Sequence, residues 1–459
     1  MATLLLDATE RDLLRTLRPI LKMKPTYIYN LDDHPPIRYA LLYGFQWAMI
    51  MFPGLIIAAS LSVESFPAGA LDKVYFLQMT LLTSGLFTWL QAWWGHRYPL
   101  LEGPSTALML AFILVAPLGL PTIQGGMILG AVLLILTVLS RQLDRVTVFF
   151  TPNVIGVILM LVSLGLIRPL IGFMTGGSTT EGGVFLLSVF LVLLIASLSH
   201  WLQGFWKTVS ILLGMILGSL LFYFLGRLPL SELAVSPWVS VSLVKLPSGP
   251  GFHWQAVIAF ACAYLAVMVN SLGSLQGIAV ITDQERLPAS TRRGLLFNGI
   301  AGICCGIFGV VGTVSFSMSP GVVLVLRVAS RYAVGYCGLL LLIAAFLPKL
   351  AALLSLVPAP VVGAALCVGL GGQIGIGIAT VASKPLTSRD YFVVGVPVLL
   401  GTLVAFLPQT LFDALPGSLQ IFVANSLITG IFLVLVLEHL LLRNQKSPSG
   451  PLPQGPTGQ

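Results

Sequence analysis

The sequence predicts an all-α polytopic membrane protein. Fourteen transmembrane segments form two inverted repeats of seven, with segments 3 and 10 short and broken. Composition, the placement of basic residues and a pair of recurring motifs predict it. Hydrophobic residues occupy 57% of 459 positions, charged residues only 9%, and the mean hydropathy is +0.97. A water-soluble domain carries about 25% charged residues, so the solvent for most of this chain is hydrocarbon.

In chain order, residues 1–37 mix Arg11, Arg15, Arg18 and Lys22 with Asp7, Glu10 and Asp12 and show no signal-peptide pattern. Within them "LLLDATERDLLRTLRPIL" has apolar residues at helical spacing and a charged opposite face, as interfacial helices do. Apolar segments follow near 38–62, 74–94, 100–117, 122–139, 151–172, 183–202 and 207–226. Seven more lie near 253–274, 293–311, 318–332, 335–356, 358–381, 388–407 and 418–442. A helix of roughly 20 apolar residues crosses a hydrocarbon layer about 30 Å thick. Residues 443–459 are rich in Pro, Gly and Ser and predict a disordered tail. The five cysteines all fall inside apolar runs and read as small packing residues.

Charge tests the count. With a cytoplasmic N-terminus, 19 of the 24 Lys and Arg residues fall on the inner side. Only Lys73, Arg168, Arg227, Lys245 and Lys349 fall outside, the asymmetry that the positive-inside rule describes. An even number of spans also keeps Arg443 and Lys446 inside. Both termini are therefore expected in the cytoplasm, in a cell (inner) membrane. The net charge of +8 then faces anionic lipid, and no nucleic acid is needed to explain it.

Fourteen is twice seven, and two motifs recur at nearly one offset. "TPNVIGVIL" (151–159) matches "PAPVVGAAL" (358–366) at 207 residues, and "GPST" of segment 3 matches "SPG" of segment 10 at 216. Seven spans per half forces opposite topology, the inverted-repeat plan of many transporters, whose sites lie where broken helices meet at mid-membrane. "PLLEGPST" and "FSMSPGVV" each place Gly and Pro just before an apolar run. Pro suits the first turn of a helix, and the positive N-terminal ends favour an electron-rich ligand group. Ordinary kinks in packed helices are the alternative.

Several stretches resemble the xanthine/uracil permease family, the second nucleobase–cation symporter family. "IYNLDDHPPIRYALLYGFQW" (28–47) is similar to its entry to span 1, with an acidic pair, a Pro pair and Gly-x-Gln. "YPLLEGPS" is similar to its third-span Pro-x-x-x-Gly-x-Ser, "FTPNVIGVILMLVSLGLI" to its fifth span. "VPAPVVGA" is similar to the front of its twelfth-span signature, and "LRVASR" (326–331) to the close of its tenth. The likeness runs from about residue 28 to 442. It implies a core domain of spans 1–4 and 8–11 (38–139 and 253–356) and a gate domain of spans 5–7 and 12–14 (140–226 and 357–442). It also implies frequent homodimers. The departures are specific. The acidic residue expected in span 8 falls on Asn270, a second polar position on Ser274, and the span 10 [Glu/Gln]-Asn-x-Gly on Met318-Ser319-Pro320-Gly321. The aromatic after the third-span serine is Thr106, and the histidine after the first-span glutamine is Trp47. No acid lies between Glu285 and Asp390 to restore the span 10 carboxylate.

Polar groups remain for a small polar substrate. Asn270 and Gln46 each offer a donor and an acceptor, while Ser105, Thr106, Ser274 and Ser319 add hydroxyls and Gly321 close backbone approach. Asn270 and Ser274, four apart, share a helix face. Amides in membrane helices equally serve as glue between helices. Glu102 is the acid placed deepest in the membrane, and an intramembrane ionisable group is a functional candidate. It either takes over proton coupling from the missing acids or pairs with Arg97 or another inner cation. Glu438, beside His439, is expected at the membrane boundary. The five histidines are scattered without ligand or catalytic spacing, and no phosphate loop appears, so neither an enzyme, a metal nor a cofactor is expected. The expected function is secondary transport of a nucleobase by proton symport, with Na⁺ as the alternative ion. A carrier of ascorbate-like or smaller anions, or an uncoupled facilitator, is the rival reading.

Overall fold

The computed structural model describes residues 26–140, 148–176, 182–228, 233, 236–240, 249–408, 411 and 426–442. The amphipathic stretch expected near the N-terminus, the tail 443–459 and the first residues of segment 14 lie outside them. Each of the fourteen apolar segments carries helix. The first half comprises α1 (Ile37–Glu64), α2 (Lys73–Trp93), β1 (Glu102–Pro104) with α3 (Thr106–Val115), and α4 (Leu120–Leu139). It continues with α5 (Pro152–Gly165) running into α6 (Ile167–Met174), then α7 (Gly182–Trp201) and α8 (Ser210–Phe224). The second half comprises α9 (Trp254–Ile281), α10 (Leu287–Phe308), β2 (Thr313–Ser315) with α11 (Ser319–Leu326), and α12 (Arg331–Ala345) bent into α13 (Pro348–Ser355). It closes with α14 (Ala359–Val381), α15 (Ser388–Phe406) and α16 (Ser426–Val436).

Among the described residues seven helices are long and apolar enough to cross a membrane, counting α5 with α6, and the α12–α13 pair, bent by 93°, makes an eighth. The two long helices outside that group, α2 and α10, carry polar residues that other helices cover. Gln78, Thr80, Thr83, Ser84, Thr88 and Gln91 of α2 are all buried, as is Asn298 of α10. Hydropathy alone therefore undercounts helices whose polar face is turned inward.

Helix starts follow local chemistry. Asp72 caps α2 through Val74 N (2.8 Å), and Ser105, Thr151 and Ser330 accept from the third residue on in α3, α5 and α12. Thr387 and Asp390 form a reciprocal capping box on α15. Packing then repeats itself across the halves. α4 lies against α9 and α10, while its counterpart α12 lies against α1 and α2. α5 lies against α14, α7 pairs with α8 as α15 pairs with α16, and α7 meets α14 as α15 meets α5. Each pairing maps onto another when the segment number is shifted by seven. Contacts between α1–α4/α9–α13 and α5–α8/α14–α16 are sparse by comparison. Glycine permits the closest approaches: a Cβ on Gly85 would stand 2.7 Å from Gly338 O, joining α2 to α12, and one on Gly156 2.6 Å from Gly377 O, joining α5 to α14.

Two polar clusters fasten the ends. Residues 28–33 run along the segment after α11, with Ile28 N donating to Arg327 O (2.8 Å), Ala329 N to Tyr29 O (2.9 Å) and Arg331 N to Leu31 O (3.1 Å). Asp32 accepts from Arg286 (2.6 Å) and Arg331 (2.7 Å), which ties this strap to α10 and α12. The second cluster joins α5, α15 and the turn after α16. Asn153 donates to Asp390 (2.7 Å) and Glu438 (3.2 Å), and Arg389 pairs with Asp390 (3.4 Å) and Glu438 (3.1 Å). Lys384 also pairs with Asp390, at 3.1 Å. Glu438, beside His439, is buried in this network, where Arg389 and Asn153 reach it from two other helices.

Two outcomes follow. The Arg286 hydrogen bond, aided by Arg331, holds the Asp32 carboxyl at about 2, below its ordinary 3.8. The strap's contribution is therefore complete above pH ~4 and disappears as pH falls through about 2. Hydrogen exchange at the Ile28, Ala329 and Arg331 amides should accelerate only there, and at neutral pH in Asp32→Asn. Arg389→Ala leaves two buried acids without their shared cation and should destabilise the fold by about 3 kcal/mol, read as a lower thermal midpoint in detergent.

Candidate functional site

Two three-residue strands organise the centre. β1 and β2 pair antiparallel, Glu102 opposite Ser315, Gly103 opposite Val314 and Pro104 opposite Thr313. Unpaired backbone has no place in hydrocarbon, and this pairing, with Ser105 N to Gly312 O (2.9 Å) and Phe316 N to Leu101 O (2.9 Å), satisfies both broken stretches at once. α3 starts just after β1 and α11 a few residues after β2. Side chains alternate across a strand. Gly103 and Val314 share one face of the pair, and Val314 walls a cavity that Pro104, at the end of β1, also lines; Glu102 and Ser315 share the other face, towards buried polar groups.

The cavity has a volume of about 420 Å³. Its lining comes from α1, α9 and the two broken stretches on one side and from α5, α8 with the residues before it, and α14 on the other. It is mostly apolar, with Ile50, Ile158 and Leu366 among its walls, and no lining residue is ionisable. Among the sequence candidates, Ser105, Thr106 and Asn270 line it. The Asn270 side-chain amide has no protein partner among the described residues, while its backbone carbonyl accepts from Ser274 Oγ (2.9 Å). Ser105 is occupied as the cap of α3, and Thr106 Oγ1 donates to Gln373 Oε1 at 3.2 Å.

The remaining candidates stand elsewhere. Ser274 lies behind Asn270, donating to Ser315 O at 2.9 Å. Ser319 is fully buried, its hydroxyl accepting from Leu101 N (3.2 Å). Gly321 does not line the cavity, and a Cβ there would meet nothing within 4 Å, so no close approach requires glycine. Gln46 sits one turn below the cavity residue Ile50 on α1, with its amide oxygen buried and unpartnered. Trp47 is fully buried packing. Glu102 is buried completely and does not line the cavity. Its partner is not Arg97. Ser315 Oγ donates to its Oε1 at 2.5 Å, and His96 Nε2 lies 3.4 Å from the same oxygen.

Two features escaped the sequence reading. Gln373 of α14 reaches the cavity, donating through Nε2 to Leu159 O (3.2 Å) while accepting from Thr106. An amide inside an apolar run was the available signal, the same that pointed to Asn270. His96 read as one scattered histidine because only the turn after α2 carries it back to Glu102.

Comparison with known proteins fits this geometry. The sequence model of the xanthine/uracil permease family, a permease family, matches residues 38–410. The chain belongs to that family. Curated relatives include the nucleobase transporter PlUacP of Paenibacillus larvae, 27% identical over 88% of this chain and 95% of the relative. The uric acid permease PucK of Bacillus subtilis is 26% identical over 90% and 98%, and the xanthine permease XanP of Escherichia coli 26% over 90% and 94%. Among solved structures, the transmembrane domain of the cyanobacterial bicarbonate transporter BicA aligns with a TM-score of 0.55 at 15% identity, covering 90% of this chain and 99% of that one. Murine Slc26a9 in its inward-facing state aligns at 0.65 and 12% identity, covering 90% and 69%, and these two likenesses concern the fold. The protein is thus an integral, multi-pass membrane permease.

Within the permease family pattern, the positions where acids are expected are held by Asn270, which faces the cavity, and by Met318, which lines it with an apolar side chain. Gln373 joins the two sides of the cavity directly. Gln373→Leu and Thr106→Val should each remove that link and change substrate affinity by about 5–10-fold, the worth of one hydrogen bond, as read by tracer displacement from purified protein. The double variant should equal Gln373→Leu alone, which removes both the bond to Thr106 and the bond to Leu159 O.

Proposed function

We propose that this permease is a secondary active carrier of a nucleobase, a uracil- or xanthine-like heterocycle, by proton symport and alternating access. The observation that carries the reading is the free amide of Asn270 in an otherwise apolar cavity. A planar base needs apolar faces above and below and a few fixed polar groups at its edge. Asn270 supplies a donor and an acceptor, Thr106 a hydroxyl and Gln373 a second amide. Neutral partners match a neutral, polar ring edge. The names of the curated relatives, a nucleobase transporter and uric acid and xanthine permeases, support the same substrate class.

The core comprises segments 1–4 and 8–11 (38–139 and 253–356), and the gate segments 5–7 and 12–14 (140–226 and 357–442), as fourteen spans in a 7+7 inverted repeat. The packing that maps onto itself under a shift of seven segments supports this, as do the sparse contacts between the two groups. The helices α1, α3 and α9 and the stretch before α11 carry the cavity's core wall, so movement of the core against the gate would expose it alternately. Substrate drives such a change only through different affinity for the two states. Cytoplasmic termini in the inner membrane follow from the basic asymmetry, and a homodimer from the family resemblance. H⁺ is the coupling ion of this reading and Na⁺ its alternative.

Uptake of labelled uracil, xanthine, urate and ascorbate into proteoliposomes, with and without an inward proton gradient, tests it. One base should accumulate with the gradient, and Asn270→Ala should lower its uptake by at least about tenfold, as loss of a polar partner in a closed site does. Accumulation of bicarbonate or ascorbate and no base would replace the nucleobase reading with an anion carrier on the same fold. Sodium-driven accumulation without a proton effect would replace the ion.

A further inference from the structure

Behind the strand pair lies a polar network that the cavity does not touch. Glu102 and His96 are both 0% exposed. Besides Ser315 Oγ, Glu102 is anchored through its backbone: its N–H donates to Thr88 Oγ1 (3.0 Å). Asn298 of α10 bonds Ser271 (2.7 Å) on α9 and Gln91 (2.5 Å) on α2. Turned over, its amide nitrogen stands 3.3 Å from Glu102 Oε2 while its oxygen accepts from Ser271. Gln91 also accepts from His96 N, at 3.1 Å. The carboxyl is thus approached from α10, β2 and the turn before β1, while α2 holds its backbone.

The histidine's tautomer follows from its neighbours. Tyr98 N donates to His96 Nδ1 at 3.0 Å, so that nitrogen holds a lone pair and a neutral ring carries its proton on Nε2. Nε2 faces Glu102 at 3.4 Å without hydrogen-bond geometry and has no other partner. A small tilt of either group completes the bond. The ring's N–H then stands beside the Glu102 carboxyl, 3.4 Å away.

The charge balance is the unusual part. Among the described residues no lysine or arginine pairs with Glu102. The surrounding elements present to it Thr88, Gln91, Ser271, Asn298 and Ser315, all neutral, and His96 is the titratable group among its partners. Arg286 and Arg331 at the ends of α10 and α12 are engaged by Asp32, and Arg286 also by Asp283. A structural acid in a membrane core is ordinarily neutralised by a cation. One held by neutral donors can accept and release a proton without breaking an ion pair.

We infer that Glu102 is the proton-binding group of this carrier, with His96 as its positioning partner, in a site separated from the substrate cavity by the β1–β2 pair. The step is Glu102 carboxylate plus one aqueous proton giving the neutral carboxylic acid; no other bond changes. Substrate and proton never touch. Coupling runs through the strands, because Glu102 and Ser315 are opposite residues of the pair whose other face, at Val314, walls the cavity. The inference rests on the reading of the chain as a proton-coupled carrier.

The test uses full-length protein. Infrared difference spectra between high and low pH should show a protonated carboxyl band in the wild type that Glu102→Gln lacks. In proteoliposomes Glu102→Gln should lose gradient-driven accumulation, falling to the level seen without a gradient, yet retain exchange of labelled for unlabelled base and bind it with unchanged affinity. His96→Leu, which removes a donor to the carboxylate, should move the pH profile of the band and of uptake upward. His96→Gln, which keeps a donor, should return it toward wild type, a recovery that a purely structural role does not produce. Persistence of the band, or of gradient-driven accumulation, in Glu102→Gln would overturn the assignment. So would a pH profile that ignores His96→Leu. If the band behaves as expected while no base is transported, the nucleobase reading fails and the proton site stands.

Discussion

Everything at the centre of this molecule depends on six residues pairing as two short strands. A broken span in a membrane exposes backbone donors and acceptors that hydrocarbon leaves unsatisfied. Here two broken spans, one from each half, satisfy each other: Glu102–Pro104 against Thr313–Ser315. That pairing brings α3 and the stretch before α11 to the cavity from opposite halves of the chain. It also makes a partition, with an apolar, ligand-sized space on one face and an acid network on the other.

The partition separates two chemistries that would interfere. A carboxylate in the cavity wall would meet both substrate and solvent whenever the site opens. Placed behind the strands, Glu102 keeps constant neutral partners, while the cavity presents Asn270, Thr106 and Gln373 without ionisable groups. The gate contributes its amide through Gln373, so the walls on both sides of the space carry polar groups. Outside the centre, the strap on Asp32 and the cluster around Arg389 tie helix ends within each group of segments. They leave the boundary between the groups, where movement would occur, with few polar ties.

Much of this was legible. Apolar runs marked segments that each carry helix, and Gly-Pro-Ser and Ser-Pro-Gly marked the two breaks because those residues suit the entry to a helix and little else in an apolar run. Asn270 was legible as an unexplained amide in such a run. Ser319 and Ser274 were read the same way and proved to be packing, since a hydroxyl on the correct helix can point to a backbone group as readily as into a cavity. Gln373 was missed for lack of any neighbouring motif, and the His96–Glu102 approach because a turn, with Arg97 at positive φ (60°), folds the chain back on itself.

By itself, the sequence determined the solvent, the helical class, the number of apolar segments, the sites of breakage and the family, because these follow from composition, periodicity and local stereochemistry. Only the tertiary structure decided which face each polar residue occupies. It decided that Glu102 meets His96 and Ser315 instead of Arg97, that Glu438 is buried with Arg389, and that Gln373 opposes Thr106. Those pairings join residues up to 267 apart in the chain, and a side chain's direction on a strand or helix acquires meaning only when the opposing element is in place.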